Sequence, residues 1–460
     1  MFLFSSQFIK ATDFIVAPIL GIVLFLLSFL YSKKKYNNKY LVNYFRLGLL
    51  VRLLGCLIIS FISQYYYEVV DTYYYYTGAL SLNTVYFVDI HSTFTYLWND
   101  SAYLFENGFD RNNFGDIYNT HTLLGIETSL FMMKIGAIIG FLTFNTYLGT
   151  SLLLALFAFG GAWKIFRLFY YLYPDLHKEI AIATLFIPSV IIWSSNYSKD
   201  TIVMGSIGFL LNSSYCLYVK KERIFFNTLL IILSSYIIIK IKLYLFIAFM
   251  PAIFSWVALT HIKRIKNTKK KLVLYILLPI ITAIFGVFCY INLTNLAIFK
   301  DHYSLEKVAG TTSQIISKYD EINTKNNQQE KFSNFTIGKF EPTILGMLNK
   351  APHAILATLY RPYIWEAHKI THLPSAIENT LLLLFTLWVF LRKNILNRVY
   401  RIFENPDIMF CFMVTIIIAF IVGIGTANFG SLVRYKIPCI PFFLIGLFIL
   451  NSKPVITETK

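Results

Sequence analysis

Paired cysteines are missing from this sequence. Cys56, Cys216, Cys289, Cys411 and Cys439 are scattered singly through apolar segments, with no CxxC spacing. That excludes a disulfide framework and leaves small packing or lipid-facing residues. Charge is scarce too, at 14% of residues, and acids are outnumbered 24 to 41 by Lys and Arg. His353, His368 and His372 lack metal-ligand spacing matched by nearby carboxylates, so no zinc site is expected. No zinc finger or arginine-rich arm is present, so the net charge of +17 is not read as a nucleic-acid footprint. No internal repeat is evident. The first apolar run has no basic region before it, so it is expected to stay as a membrane helix rather than leave as a signal peptide.

Long apolar runs dominate instead. The chain has 460 residues, of which 57% are hydrophobic, and its mean hydropathy is +0.60. Those values exclude an ordinary soluble protein. A hydrocarbon core needs about 20 apolar residues per helical crossing. Stretches of that kind fall near 14–31, 47–64, 145–166, 179–195, 201–219, 224–240, 243–260, 272–292, 376–391, 407–425 and 437–451. The expected fold is therefore all-α, a single polytopic membrane domain over 1–460 with about eleven transmembrane helices. The shorter stretch 128–142 carries Lys134 between polar flanks and is expected to lie along the interface.

The basic residues are sorted along the chain. The segments 33–46, 164–178, 220–223, 261–271 and 392–401, with the C-terminal tail, hold more than half of the 41. By the positive-inside rule these loops are cytoplasmic, with the N-terminus outside and the C-terminus inside. Two long loops, 65–127 and 293–375, then face outward, and short helices are expected within them. The polar stretch 318–335 in the second is expected to be mobile.

Chemically suggestive residues recur in the outward segments. Asp71 opens a tyrosine-rich run, DTYYYY, just beyond the second span. A carboxylate beside the bilayer suits base catalysis, while a solvated loop acid next to an aromatic belt would look the same in sequence. In IPSVIIWSSNYSKD, Asp200 fits a helix first turn capped by Ser198, and Lys199 is an outward cation that needs an anionic partner. Lys240 and Lys242 sit in a short turn, where snorkelling and phosphate binding both account for them. Arg361, Trp365 and Glu366 cluster in RPYIWEA, reading either as phosphate recognition beside a sugar-stacking ring or as an internal ion pair. In NFGSLVRYKIP, Asn428 and Gly430 fit a tight turn. Arg434 and Lys436 place two cations at the start of the last span, against its dipole, which suggests a fixed anion. Arg52 is the one clear cation in the middle of a predicted span.

Across about residues 45–450 the chain resembles the GT-C class of bacterial integral-membrane glycosyltransferases. The resemblance rests on Asp71–Tyr76, PSVIIWSSNYSKD, RPYIWEA and NFGSLVRYKIP. It implies an enzyme of the bacterial cytoplasmic membrane that moves a sugar from a polyprenyl-phosphate donor to a glycan, glycolipid or protein acceptor at the outer face. Asp71 would be the general base. Lys199, Lys242, Arg361, Trp365, Glu366, Asn428, Arg434 and Lys436 would hold the donor. A second span precedes the first outer loop where the family pattern has one, and no paired-acid metal signature flanks Asp71. No cofactor is indicated. A Wzy-type polysaccharide polymerase and a lipid-linked oligosaccharide flippase are the alternative readings.

Overall fold

A computed structural model of the chain describes residues 8–67, 71–86, 97–106, 123–265, 335–338, 340–341, 343–367, 372–392 and 394–453, with scattered positions between 267 and 288. His368, most of the expected span 272–292 and the stretch 318–335 up to residue 334 lie outside the described residues, as do several acids of the first expected outer loop, Glu68, Asp89, Asp110 and Asp116. Within them all regular structure is helical and no strand is present.

In chain order the helices are α1 (Asp13–Lys35), α2 (Lys39–Tyr65), α3 (Asp71–Tyr86), α4 (Ser101–Glu106), α5 (Leu123–Gly140), α6 (Tyr147–Leu172), α7 (His177–Leu185), α8 (Pro188–Trp193) and α9 (Lys199–Tyr215). They continue as α10 (Ile224–Lys263), α11 (Ile344–Asn349), α12 (Ala351–Tyr360), α13 (Leu373–Leu391), α14 (Ile395–Glu404), α15 (Pro406–Gly425), α16 (Phe429–Tyr435) and α17 (Ile440–Asn451). Among the described residues eight helices are long and apolar enough to cross a membrane, or nine when α16 and α17, bent by 62°, count as one span. The described part is that of an all-helical membrane protein with eight or nine such helices, and one of the eleven expected, 272–292, lies mostly outside it.

The differences have local causes. The expected span 179–195 is broken into α7 and α8, because Pro188 lacks an amide hydrogen and restricts Ile187 before it. The expected pair 224–240 and 243–260 is continuous along the chain as α10, but a kink divides it at Lys242, where the backbone leaves helical geometry (φ −143°, ψ 75°) close to the boundary expected between the two spans. At about 1.5 Å per residue its length is roughly twice a hydrocarbon core. The last span starts at Ile440 rather than 437. The stretch 128–142 falls inside Ile126–Thr143, which has the length and composition of a crossing. Lys134, the reason for reading it as interfacial, donates to the Asn99 carbonyl.

The chain divides into two compact units, residues 1–167, 190–212 and 229–243 in the first, and 168–189, 213–228 and 244–460 in the second. In the first unit, α1 is apolar on every side and mostly exposed, the pattern of a helix solvated by lipid. Its start is fixed by polar contacts. Asp13 accepts from the amides of Lys10 (2.9 Å) and Leu148 (2.6 Å), and so caps α6 as well. Gln64 at the end of α2 accepts from the Phe8 amide (2.9 Å), and the Phe8 ring meets Tyr147 at 4.5 Å. The start of α1, the end of α2 and the start of α6 thus share one end of the unit, and the chain between Gln64 and Tyr147 returns to the end it left. At the other end Trp163 Nε1 donates to Tyr36 Oη (2.8 Å), beside the basic last turn Lys33–Lys35. Between the two ends α6 and α9 touch backbone to backbone. A Cβ on Gly161 would lie 2.3 Å from the Gly205 carbonyl oxygen, and one on Gly208 2.1 Å from that of Gly161. Close contacts of small residues are how helices associate where no water drives them together.

The second unit also has two distinguishable ends. At one, Asn405 caps α15 by accepting from the Asp407 amide (2.9 Å), and Asp407 accepts from Tyr173 Oη (2.6 Å) and Trp256 Nε1 (2.7 Å). Arg401 at the same end donates to the carbonyls of Leu450 (2.8 Å) and Ser452 (3.0 Å), satisfying acceptors that α17 leaves open at its C-terminus. At the other end Glu378 accepts from the Ser189 amide (3.0 Å), so residues 173–189 run the length of the unit even though their helix is broken. Packing along the length is tight. Thr358 Oγ1 of α12 donates to the Ala419 carbonyl of α15 (2.8 Å), and a Cβ on Gly423 would sit 2.3 Å from the Ala354 carbonyl oxygen.

Candidate functional site

The residues singled out in the sequence fall into two groups, one in each unit. Asp71, Lys199 and Lys242 belong to the first. Arg361, Trp365, Glu366, Asn428, Arg434 and Lys436 belong to the second.

In the first unit the segment 194–200 is the organiser. α8 ends at Trp193, and Arg52 Nη1 donates to the carbonyl of the next residue, Ser194 (3.0 Å), and more distantly to that of Val190 (3.4 Å), which already accepts from the Ser194 amide. The mid-span cation of the sequence is therefore a buried helix cap. Tyr197 follows, fully buried, and its hydroxyl donates to the Met132 carbonyl (2.6 Å). Gly136 makes room for it, since a Cβ there would stand 1.8 Å from the Tyr197 oxygen. Burial raises the Tyr197 pKa well above that of an ordinary phenol, so it stays a neutral donor. Thr72 Oγ1 donates to the Tyr197 carbonyl (2.8 Å), which ties the first turn of α3 to this segment. Asp71, the residue before it, opens α3 and is exposed. Lys199 Nζ donates to Thr128 Oγ1 (2.7 Å) and Ser129 Oγ (3.3 Å) and lies 5.4 Å from the centre of the Tyr75 ring. Asp71 and Lys199 thus come from one assembly, since Tyr75 lies one turn beyond Asp71 on α3. Asp200 is almost fully buried and forms an ion pair with Lys242 at the break in α10. The internal carboxylate accounts for Lys242 without a bound phosphate. Thr72 also meets Tyr147 at the start of α6 (3.1 Å), so Asp71 and the segment after Tyr197 lie toward the end of the unit opposite Lys33–Lys35, while Arg52 is midway along α2.

In the second unit, segments 359–379 and 427–439 meet. Arg361 Nε donates to both oxygens of Glu366 (3.0 and 3.1 Å), and Nη1 reaches the Thr336 carbonyl (3.3 Å). Its guanidinium lies 5.2 and 5.6 Å from the ring centres of Phe335 and Phe429. Glu366 also accepts from the Tyr363 amide (2.9 Å), closing a short turn on which Trp365 stacks against Tyr363 at 4.9 Å. Trp365 is 73% exposed, the most exposed large ring in this group. Asn428 caps α16, accepting from the Gly430 amide (2.7 Å). Lys436 is fully buried and donates to Asn379 Oδ1 (2.6 Å) and to the Arg361 carbonyl (3.3 Å). Arg434 is half-buried in the last turn of α16. The group sits at the end opposite Arg401.

Asn379, Thr128 and Thr72, which hold these cations and turns in place, carried no sequence signal. Each is a small polar residue in an apolar run and is identified only by its distant partner. Among the described residues no three His, Cys, Asp or Glu side chains converge as a metal site would require. The chain matches no protein-family model, no curated protein and no solved structure.

Proposed function

We propose that the protein is a membrane glycosyltransferase of GT-C type. It would transfer a sugar from a polyprenyl-phosphate donor to a glycan, glycolipid or protein acceptor at the outer face of the bacterial cytoplasmic membrane. One observation carries this reading. In each unit the residues picked out by sequence gather at the end opposite the basic loops. Under the positive-inside rule the basic ends are cytoplasmic and the candidate residues face outward, where no nucleotide-sugar pool exists and a lipid-linked donor is the available one.

In this reading Asp71, exposed at the start of α3, takes the proton of the acceptor hydroxyl, and Lys199 beside it meets the departing phosphate. In the second unit, taken by itself, Trp365 offers an exposed ring for a sugar and Arg434 a cation for an anionic group. In the first unit Lys242 holds Asp200 in place, and in the second Arg361, Glu366, Asn428 and Lys436 hold the turns that carry Trp365 and Arg434.

The test is mass spectrometry of lipid-linked glycans from a deletion strain complemented with wild type, Asp71→Asn, Lys199→Ala or Arg434→Ala. A precursor one sugar short, rescued by wild type but not by Asp71→Asn, is expected. Accumulation of complete single repeat units, rescued by Asp71→Asn but not by Arg434→Ala, would replace the transferase with a polymerase. Complete lipid-linked units that fail to reach the outer face would point to a flippase.

A further inference from the structure

The basic end of the second unit contains a feature that sugar transfer does not use. A cavity of about 460 Å³ opens among Tyr173, Lys263, Arg264, Arg401, Asp407 and Lys453. Its acids and bases are not equivalent. Both oxygens of Asp407 are occupied by wall donors, Tyr173 Oη and Trp256 Nε1. Arg401 is committed to the carbonyls at the end of α17. Lys263, Arg264 and Lys453 are exposed cations on the rim. Glu404, the remaining acid of the lining, leaves the rim net positive.

A second observation concerns the helix that provides one wall. α14 is only ten residues long, too short to span a bilayer, and sharply amphipathic. Its polar side turns inward, with Arg398 and Arg401 on the end of α17. Its apolar side, Ile395, Leu396, Val399, Tyr400 and Phe403, is exposed, with Leu396 at 75%. A short helix with that distribution lies in the plane of the headgroups with its apolar row among the acyl chains. The cavity beside it is therefore at headgroup depth, within reach of a lipid phosphate and next to surface suited to the lipid's chains.

We propose that this cavity binds the phosphate of an anionic lipid headgroup from the leaflet at the basic end, held by Lys263, Arg264 and Lys453. The proposal is independent of the transferase reading, since it uses none of the residues assigned to sugar transfer and concerns the end of the second unit opposite Arg361 and Lys436. The test uses the full-length protein purified in detergent, with native mass spectrometry of retained phosphatidylglycerol against phosphatidylcholine. Thermal melting in millimolar inorganic phosphate runs in parallel. Phosphatidylglycerol should be retained in preference, and Lys263→Ala/Arg264→Ala should weaken it roughly tenfold. Lys178→Ala/Lys221→Ala, which removes two exposed lysines of the same unit away from the cavity, should leave it unchanged. Lys453→Ala alone, a change at an exposed rim position, should show a smaller loss in the same direction should the double variant fail to fold. The proposal is overturned by wild-type retention in both rim variants, or by an equal loss in the control. Stabilisation by inorganic phosphate matching that by the lipid would overturn the lipid assignment in favour of a free phosphate.

Discussion

Arg52 and Lys242 are the residues where charge inside this protein is most exposed to test. Arg52 is 2% exposed and ends on the Ser194 carbonyl just past α8. Arg52→Met would remove the guanidinium donor from the buried Ser194 carbonyl and hydroxyl, at a cost of about 1–3 kcal/mol. The melting midpoint of the purified protein should fall, while Ser195→Ala should change it little. The Asp200–Lys242 pair gives a sharper contrast. Asp200→Leu alone leaves a buried ammonium without its partner and should cost about 3–5 kcal/mol. Asp200→Leu with Lys242→Met should recover much of that loss, read from the same melting curves. Equal losses in the single and double variants would mean that Lys242 has an anionic partner beyond Asp200. At this scale the sequence was only half legible. It marked nearly every cation that matters but could not distinguish a cation waiting for ligand from one already satisfied, because Asn379, Ser194 and Thr128 have no pattern of their own.

At the scale of elements, hydropathy located most helices and misread the continuity of one. The run 179–195 is apolar throughout, so its sum passes over the break that Pro188 imposes between α7 and α8. In α10 the interruption was legible, because Lys240 and Lys242 break the hydropathy where the backbone leaves helical geometry and two helical segments meet. Glycine spacing was readable only as composition until Gly161, Gly205 and Gly208 were found against one another. Gly208→Leu should force α6 and α9 apart and lower stability by several kcal/mol, more than the roughly 1–3 kcal/mol of ordinary overpacking, because the obstacle is backbone rather than a movable side chain. Gly21→Leu in α1 meets no atom within 4 Å and should be neutral. Comparing the melting midpoints of the two variants checks the argument.

For the whole molecule, the basic residues and the candidate residues occupy opposite ends of each unit. That sorting was legible in the sequence, because it depends on charge counted over loops rather than on any single contact. It makes a prediction about sidedness. Single cysteines placed at Lys34 and at Asp71, in a background freed of native cysteines, should react with a membrane-impermeant maleimide from opposite sides of sealed vesicles. Labelling of both from one side would place Asp71 at the cytoplasmic surface and remove the argument for a lipid-linked donor.

Asp13 has a consequence for how the protein is made. It sits in the first turn of the first helix, yet one of the amides it accepts from belongs to Leu148, 135 residues later. Arg52 in the second helix waits still longer, for Ser194, 142 residues on. At a synthesis rate of about 5–20 residues per second, both charges wait roughly seven to thirty seconds for these distant partners to be made. During that interval α1 and α2 carry groups the hydrocarbon rejects, and something outside the chain must shelter them. Nascent chains arrested before residue 148 should therefore crosslink from α1 to the insertion machinery, and chains arrested well after residue 194 should have let go.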